Sequence, residues 1–299
     1  MKLVQIIIIM LLSSGLIFSL LVQTDVVNND KLSLSTPEKL RYLNIPERLK
    51  NAIEATEFVR QVADLNAGDR ENAILREIGS GNVPSFARVL KPVKVIETID
   101  GKSYELIFFS TTDYMAIGSD KDYIYVPLTP LTAQRIANSL DCLLPTKKIV
   151  DIIYATAEIK LRPQPIPPSE KMTTIPIFWQ HTDSVKQQLK KIGFNRLTDE
   201  IIAGHKKDII ISNKIYDRNR TSDRVIIYGW HKAENIPIQP IYDGHIASYA
   251  DYSHGVRFLS NLGFLNGVPI KLEAILKDST YSLLLSNEGR ISKPYYPIK

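Results

Sequence analysis

Residues 93–109 read VKVIETIDGKSYELIFF and carry the clearest structural signal in the sequence. Two runs rich in β-branched and aromatic residues flank Asp100-Gly101, a dipeptide that favours the two-residue turn of a β-hairpin. Two further short apolar runs, at 114–117 and 123–126, predict a second hairpin. The sequence therefore predicts sheets in which neighbouring strands are antiparallel.

Helices and further strands are predicted on both sides of these hairpins. Thr129-Pro130 and Pro145-Thr146 each couple a capping hydroxyl to a proline, which is typical of helix starts. The apolar period predicts helices over 46–65, 69–78, 132–143, 147–160 and 183–192. Later strands are expected at 175–179, 208–212, 224–230 and 256–259, with an edge or irregular strand at 236–242. This order of elements predicts an α+β fold with antiparallel strands and helices packed on one side.

An N-terminal hydrophobic leader precedes the folded part. Lys2 is followed by the uncharged residues 3–24, which is typical of an export signal. The run approaches the ~20 residues that span a bilayer, so a cleaved signal peptide and an uncleaved membrane anchor both stay open. In either case the rest of the chain is expected to be secreted, periplasmic or anchored on the outer side of the cytoplasmic membrane, and to contact the membrane only through residues 3–24.

The remainder of the chain is predicted to be a polar tether followed by one domain. Residues 25–45 are polar, and residues 46–299 contain the predicted helices and strands. An internal boundary is expected near 162–168, where four prolines prevent a helix and favour an extended segment.

The composition is that of an ordinary globular protein, with 299 residues of which 44% are hydrophobic and 23% are charged. The net charge of +5 arises from nearly balanced acidic and basic residues, so we expect no nucleic-acid partner. Cys142 is the one cysteine, which excludes an intrachain disulfide and a zinc site of several cysteines. Its side chain is expected to be a buried apolar group on a helix.

The candidate functional residues come from the second half of the chain, which contains all five histidines. Histidine exchanges protons near neutral pH and also binds metals. The candidate catalytic residues are His231, His254, His205, Asp208, Ser253 and Asp251. The candidate substrate-binding residues are Tyr228, Trp230, Lys207, Tyr252 and His245. The fifth histidine, His181, is interpreted as a helix-entry residue beside Thr182 and Asp183 and is given little weight.

Three segments supply most of these candidates: GHKKD at 204–208, YGWH at 228–231 and DYSHG at 251–255. Each segment lies where a predicted strand begins or ends, and such places are where sites are usually assembled. We expect the segments to converge, so that the imidazoles of His205, His231 and His254 share one solvent-filled cleft.

The leading hypothesis is an exported hydrolase that acts on an extracellular polymer such as peptidoglycan, peptide or polysaccharide. The three imidazoles would transfer protons, Asp208 or Asp251 would orient one of them, and Ser253 would act as nucleophile or hydrogen-bond donor. The hypothesis requires the imidazoles to lie within ~10 Å of one another and to be open to solvent. An α/β-hydrolase is disfavoured, since the only histidine after Ser253 is its immediate neighbour.

Two alternatives stay open. The histidines and Asp208 supply enough ligands for zinc, although no His-Glu-x-x-His helix is present, so a metal-binding module is compatible with the sequence. A non-catalytic cell-envelope module could instead bind glycan or protein through Trp179, Trp230 and the tyrosines, including the pair Tyr123 and Tyr125. The short basic runs at 190–191 and 206–207 are expected to be solvated.

Four ordered segments carry a resemblance: LPTKKIVD at 144–151, AGHKKD at 203–208, IYGWH at 227–231 and DYSHGVR at 251–257. As a set they resemble those of a family of exported bacterial proteins of about this size. The resemblance covers most of residues 80–260. It implies a common fold and export, and it implies no activity, substrate or cofactor.

Overall fold

A long β-hairpin organises the largest sheet of this computed structural model, which describes residues 40–194, 199–219 and 221–298. The strands β1 (Leu90–Ile99) and β2 (Lys102–Thr111) pair antiparallel along their whole length. Asp100 and Gly101 form the turn with positive φ angles of 50° and 75°, as a two-residue turn of this type requires. The predicted hairpin is confirmed, and the predicted leader lies outside the described residues.

The remaining strands are short, and most of their pairings are antiparallel. They are β3 (Ala116–Gly118), β4 (Tyr123–Tyr125), β5 (Cys142–Leu143), β6 (Ile159–Lys160), β7 (Ile202–Ala203), β8 (Lys207–Ile209), β9 (Ile227–Ala233), β10 (Ile236–Tyr242), β11 (His254–Gly255), β12 (Leu259–Ser260), β13 (Leu262–Leu265) and β14 (Val268–Lys271). The largest sheet has the order β14-β13-β2-β12-β5, with β1 paired to β2. The second predicted hairpin is confirmed as β3 and β4, whereas β6 with β7 and β8 with β11 are parallel.

Six α-helices lie in the described part of the chain: α1 (Ala55–Val62), α2 (Ala67–Gly79), α3 (Pro130–Ser139), α4 (Lys147–Thr156), α5 (Ile175–Lys191) and α6 (Leu272–Lys277). The hydroxyls of Thr129 and Thr146 accept hydrogen bonds from the backbone at the starts of α3 and α4. These two helix starts are therefore confirmed, and the mixture of helices with antiparallel sheets makes the fold α+β, as predicted. No helix within the described residues is both long and apolar enough to cross a membrane.

Four local predictions are wrong. The first helix begins at Ala55 rather than Pro46, because the Arg48 guanidinium binds the carbonyl oxygens of residues 52 and 53 in an irregular segment. Residues 175–179 form the start of α5 instead of a strand, with Pro176 in its first turn, where a missing N–H has no cost. Cys142 is buried as expected but lies on β5, because the chain turns at Asp141 with a φ of 49°. The strand predicted at 256–259 is replaced by two short strands, β11 (His254–Gly255) and β12 (Leu259–Ser260), on either side of residues 256–258.

A four-stranded sheet of order β10-β9-β8-β11 positions the candidate residues. Lys207 of β8 lies opposite Gly229 of β9 and opposite His254 of β11. The GHKKD, YGWH and DYSHG segments therefore lie on three adjacent strands. The predicted edge strand at 236–242 is confirmed as β10, which pairs only with β9 within the described residues.

Candidate functional site

Every buried acidic, basic or histidine side chain in the described part of the chain belongs to one cluster at this sheet. The nine side chains are each at most 2% exposed: Asp113, His181, His205, Lys206, Asp208, His231, Asp251, His254 and Arg257. Burying an ionised group costs several kcal/mol unless it is paired and hydrogen-bonded. Such a concentration of buried ionisable groups, with shifted pKa values, is typical of a functional site.

Asp113, which follows β2, organises one side of the cluster. Its Oδ2 accepts a hydrogen bond of 2.6 Å from the Tyr125 hydroxyl, and its Oδ1 accepts one of 2.7 Å from the Tyr114 backbone N–H. The Nε2 of His205 lies 3.2 Å from the same Oδ1. Burial lowers the pKa of His205, and Asp113 opposes this shift only in part. His205 is therefore a neutral, fully enclosed imidazole.

Asp208 and Arg257 form the centre of the cluster. The Asp208 Oδ2 accepts a hydrogen bond of 2.7 Å from the Tyr114 hydroxyl, and its Oδ1 lies 3.9 Å from the Arg257 Nε. The Arg257 guanidinium donates hydrogen bonds of 2.6 Å to the carbonyl oxygens of Thr111 and of Ile202. Burial raises the pKa of Asp208 to about 6, against the lowering effects of Arg257 and Tyr114. This carboxyl group therefore titrates close to neutral pH.

An irregular backbone in β9 brings two side chains to the same carboxylate. The Tyr228 hydroxyl donates a hydrogen bond of 2.6 Å to the Asp151 Oδ1, and the His231 Nε2 lies 3.2 Å from that oxygen. Residues three apart in a regular strand point to opposite faces. Here Gly229 and Trp230 have φ angles of 114° and 58°, which allows both side chains to face α4. A left-handed conformation costs a non-glycine residue roughly 1–2 kcal/mol, and strain of this kind is common at functional sites.

Asp151 holds the His231 imidazole in a defined orientation. Its Oδ2 lies 2.6 Å from the Lys147 Nζ, one turn earlier in α4. Burial acts to raise the pKa of Asp151, but hydrogen bonds from His231, Lys147 and Tyr228 lower it more. The imidazole also stacks on the Tyr154 ring, with 4.5 Å between the ring centroids. Since Asp151 is ionised, the tautomer of His231 that is protonated at Nε2 is favoured.

A small cavity of about 10 Å³ lies between α4 and the sheet. Its walls include Tyr114, Tyr154, Gly204, Asp208, His231 and Arg257. This volume is about the space that one water molecule needs. The His231 imidazole, which Asp151 orients, and the Asp208 carboxyl group, whose pKa is raised, therefore both border a space the size of one water.

Asp251 organises the other side of the cluster. Its Oδ1 accepts hydrogen bonds from the backbone N–H and the hydroxyl of Ser253, at 2.8 and 2.5 Å, and its Oδ2 accepts one of 3.2 Å from Tyr249. Its carboxylate therefore orients a hydroxyl group and not an imidazole. The ring nitrogens of His254 have no hydrogen-bond partner among the described residues, and burial lowers the pKa of His254 to about 4.

Lys206 is fully buried, so the prediction that residues 206–207 are solvated is wrong for this residue. Its Nζ donates a hydrogen bond of 2.6 Å to the Tyr252 carbonyl oxygen and lies 5.4 Å from the centroid of the Tyr125 ring. Burial lowers the pKa of Lys206 to about 7, and Asp251 and Asp113 only partly oppose this. Lys207 is half-buried.

The open cleft expected from the sequence is wrong for the described residues. His205 and His254 are 0% exposed, and among the three candidate imidazoles only His231 borders the cavity. His181, expected at a helix entry, lies inside α5 and is also 0% exposed. Of the candidate substrate-binding residues, Tyr228, Trp230 and Tyr252 are buried, whereas Lys207 and His245 are half-buried. The functional roles of all these residues stay predictions.

Sequence reasoning missed Asp151, Tyr114 and Arg257. A weak signal existed for Asp151, because Lys147 precedes it by four residues in the LPTKKIVD segment. A lysine–carboxylate pair at that spacing is also common on exposed helix faces, so the signal does not distinguish a site from a surface.

The described residues contain no group of three or more histidine, cysteine, aspartate or glutamate side chains placed to hold a metal ion. The rings proposed to bind glycan are mostly enclosed: Tyr123, Tyr125 and Trp230 are 3%, 1% and 4% exposed. Comparison of the chain with protein-family models, with curated proteins and with solved structures finds no match. The family resemblance and export therefore stay predictions, and the chemistry of the described residues is the basis for a functional proposal.

Replacing His254 is expected to reduce the fall in the free energy of unfolding between pH 7 and pH 5. A histidine whose pKa is about 4 when folded and 6.5 when unfolded makes its full contribution to stability above pH 6.5 and loses it progressively as the pH falls from 6.5 to 4. Between pH 7 and pH 5 the loss from this group is about 2 kcal/mol. Urea unfolding at both pH values measures this. From pH 7 to pH 5 the free energy of unfolding should fall by about 2 kcal/mol less in His254→Gln than in the parent protein.

The matched control for this experiment is His245→Gln, which removes a half-buried imidazole. This variant should change the difference in unfolding free energy between pH 7 and pH 5 much less than His254→Gln does. An unchanged pH dependence in His254→Gln would show that this imidazole is not kept neutral by burial.

Proposed function

We propose that this protein is an exported hydrolase that acts on an extracytoplasmic polymer, such as peptidoglycan, peptide or polysaccharide, through a site around His231. The observation that carries the proposal is the concentration of all nine buried acidic, basic and histidine side chains of the described residues in one cluster. Hydrophobic residues of similar volume would often stabilise a fold as well or better, so stability does not account for such a cluster. Export rests on Lys2 and the uncharged run after it.

The three-imidazole site expected from the sequence is not kept, because His205 and His254 are sealed. In this proposal the site consists of His231 as the general base and Asp208 as the general acid. With Nε2 protonated and bound to Asp151, the lone pair of His231 is on Nδ1 and can accept a proton. The cavity has room for one water only, so the proposal requires it to open when substrate binds. The water then gives this proton to His231 as it attacks the scissile bond. Asp208, with a pKa of about 6, gives its proton to the leaving group. The proton on His231 then returns to Asp208, which restores the site.

The cavity is what favours hydrolysis over other proton-transfer chemistry. It has room for one water between the proposed base and the proposed acid. Arg257, whose Nε lies 3.9 Å from Asp208, would stabilise the carboxylate after it has lost its proton.

The test is turnover of purified peptidoglycan, a denatured protein and a polysaccharide by the full chain. His231→Gln should lower kcat/KM at least ~100-fold, as expected for loss of a general base. Asp151→Asn should lower it less, and the double variant should be no worse than His231→Gln, because both changes act on the same imidazole.

Lys232→Gln is the matched control, because Lys232 is the exposed neighbour of His231 on β9. It should keep full activity, and thermal unfolding should verify that each variant is folded. Turnover that survives in a folded His231→Gln protein, or no turnover of any of the three polymers by the parent protein, would contradict the proposal.

A further inference from the structure

Lys207 is a half-buried cation whose ammonium group has no hydrogen bond or ion pair within the part of the chain that the structure describes. Its Nζ lies 5.0 Å from the centroid of the Trp230 ring, which is the position of a cation–π contact. Such a contact occupies at most the N–H bonds that point at the ring, and an ammonium group has three. The remaining donors are therefore available to an anionic acceptor.

Asp251, the acidic group that acts on the pKa of Lys207, does not serve as that acceptor. Asp251 acts on the pKa of Lys207 from a distance, but no carboxylate oxygen lies within ion-pair range of the amine among the described residues. Both oxygens of Asp251 already accept hydrogen bonds, from Ser253 and from Tyr249. The Asp251 carboxylate is therefore oriented by Ser253 and Tyr249, and it acts on Lys207 only through its charge.

Trp230 supplies a second donor next to this amine. Its side chain is 4% exposed, and its indole Nε1 has no hydrogen-bond partner among the described residues. A buried N–H without an acceptor costs about 1–3 kcal/mol, so such a group is rare without a role. The backbone of Trp230 also adopts a positive φ of 58°, so the ring is held beside Lys207 at a further cost.

We propose that Lys207 and the indole N–H of Trp230 form a binding site for a carboxylate group of a ligand. One full positive charge and one neutral donor suit an acceptor with a single negative charge and two oxygens. The negative charge of Asp251 nearby disfavours a doubly charged phosphate.

The site is separate from the cavity beside His231. Neighbouring residues of a strand project to opposite faces, and Asp208, the next residue of β8, faces Tyr114 and Arg257. Lys207 instead faces the Trp230 ring, so a ligand carboxylate would bind on the other face of this sheet.

The fluorescence of Trp230 tests this inference directly. The chain has two tryptophans, so the full chain with Trp179→Phe reports on Trp230 alone. Titration with sodium acetate, at an ionic strength kept constant with sodium chloride, should change the emission in a saturable manner. Lys207→Gln in the same background should weaken acetate binding at least ~10-fold, whereas Lys207→Arg, which keeps the charge, should retain it.

Lys232→Gln is the matched control, since it removes an exposed positive charge from the same sheet and should leave the titration unchanged. Inorganic phosphate should bind more weakly than acetate. Equal titrations with and without Lys207, a change that does not saturate, or tighter binding of phosphate would each overturn the inference.

Discussion

Arg257→Met should lower the free energy of unfolding by about 3–5 kcal/mol at pH 8, because removing one member of a buried ion pair leaves the other uncompensated. The guanidinium is 1% exposed and holds the carbonyl oxygens of Thr111 and Ile202 as well as facing Asp208. Methionine fills a similar volume but supplies no donor. Urea unfolding at pH 8 and pH 5 is the measurement.

The loss should be smaller at pH 5. The pKa of Asp208 is already raised to about 6, and without Arg257 it rises further, so at pH 5 the carboxyl group is protonated and no unpaired charge is buried. Adding Asp208→Asn to Arg257→Met should recover part of the loss at pH 8 for the same reason.

Arg60→Met is the surface control for this change. The Arg60 side chain is 73% exposed and pairs with Glu57, so its replacement should change stability by less than about 1 kcal/mol. If the free energy of unfolding of Arg257→Met at pH 8 were within about 1 kcal/mol of that of the parent protein, the interpretation of Arg257 as a required buried cation would be wrong.

Gly204→Ala should destabilise the protein by about 2–5 kcal/mol, through backbone strain of about 1–2 kcal/mol and a steric clash of about 1–3 kcal/mol. Gly204 has a φ of 98°, and a Cβ at this position would lie 2.4 Å from the Leu161 carbonyl oxygen and 3.0 Å from the Tyr154 ring. The backbone at Leu161 cannot easily move, because its N–H is bound to the Ala203 carbonyl oxygen. Thermal and urea unfolding measure the effect.

Gly267→Ala separates the two causes. Gly267 has a positive φ of 79°, but a Cβ there would meet no atom within 4 Å. Its replacement should therefore cost only the strain, about 1–2 kcal/mol. Equal losses in the two variants would show that the close packing of Gly204 against the cavity wall contributes nothing to stability.

Several parts of the fold could be read from the sequence because they depend on neighbours in the chain. Asp100-Gly101 sets the turn of the β1–β2 hairpin, and the hydroxyls of Thr129 and Thr146 cap the helices that follow them. The prediction of a strand at 175–179 is wrong, because a short apolar run has the same pattern in a strand and in a buried helix.

The candidate site was only partly readable. The polar segments that the sequence singles out do lie on adjacent strands, β8, β9 and β11. The burial of these segments could not be predicted, because fully buried lysine side chains are rare and histidine is intermediate between buried and exposed residue types. Lys206 and His254 are enclosed by packing against other parts of the chain, including the Tyr125 and Tyr249 rings.

By itself the sequence determined the local elements, the α+β class and the segments that carry the reactive side chains, since turn, cap and periodicity signals act over a few residues. Only the tertiary structure decided which carboxylate meets which imidazole. Asp151 reaches His231 across 80 residues of chain, and it does so because the left-handed backbone at Trp230 turns the imidazole toward α4. Contacts of that kind depend on how distant elements pack, and no local pattern specifies them.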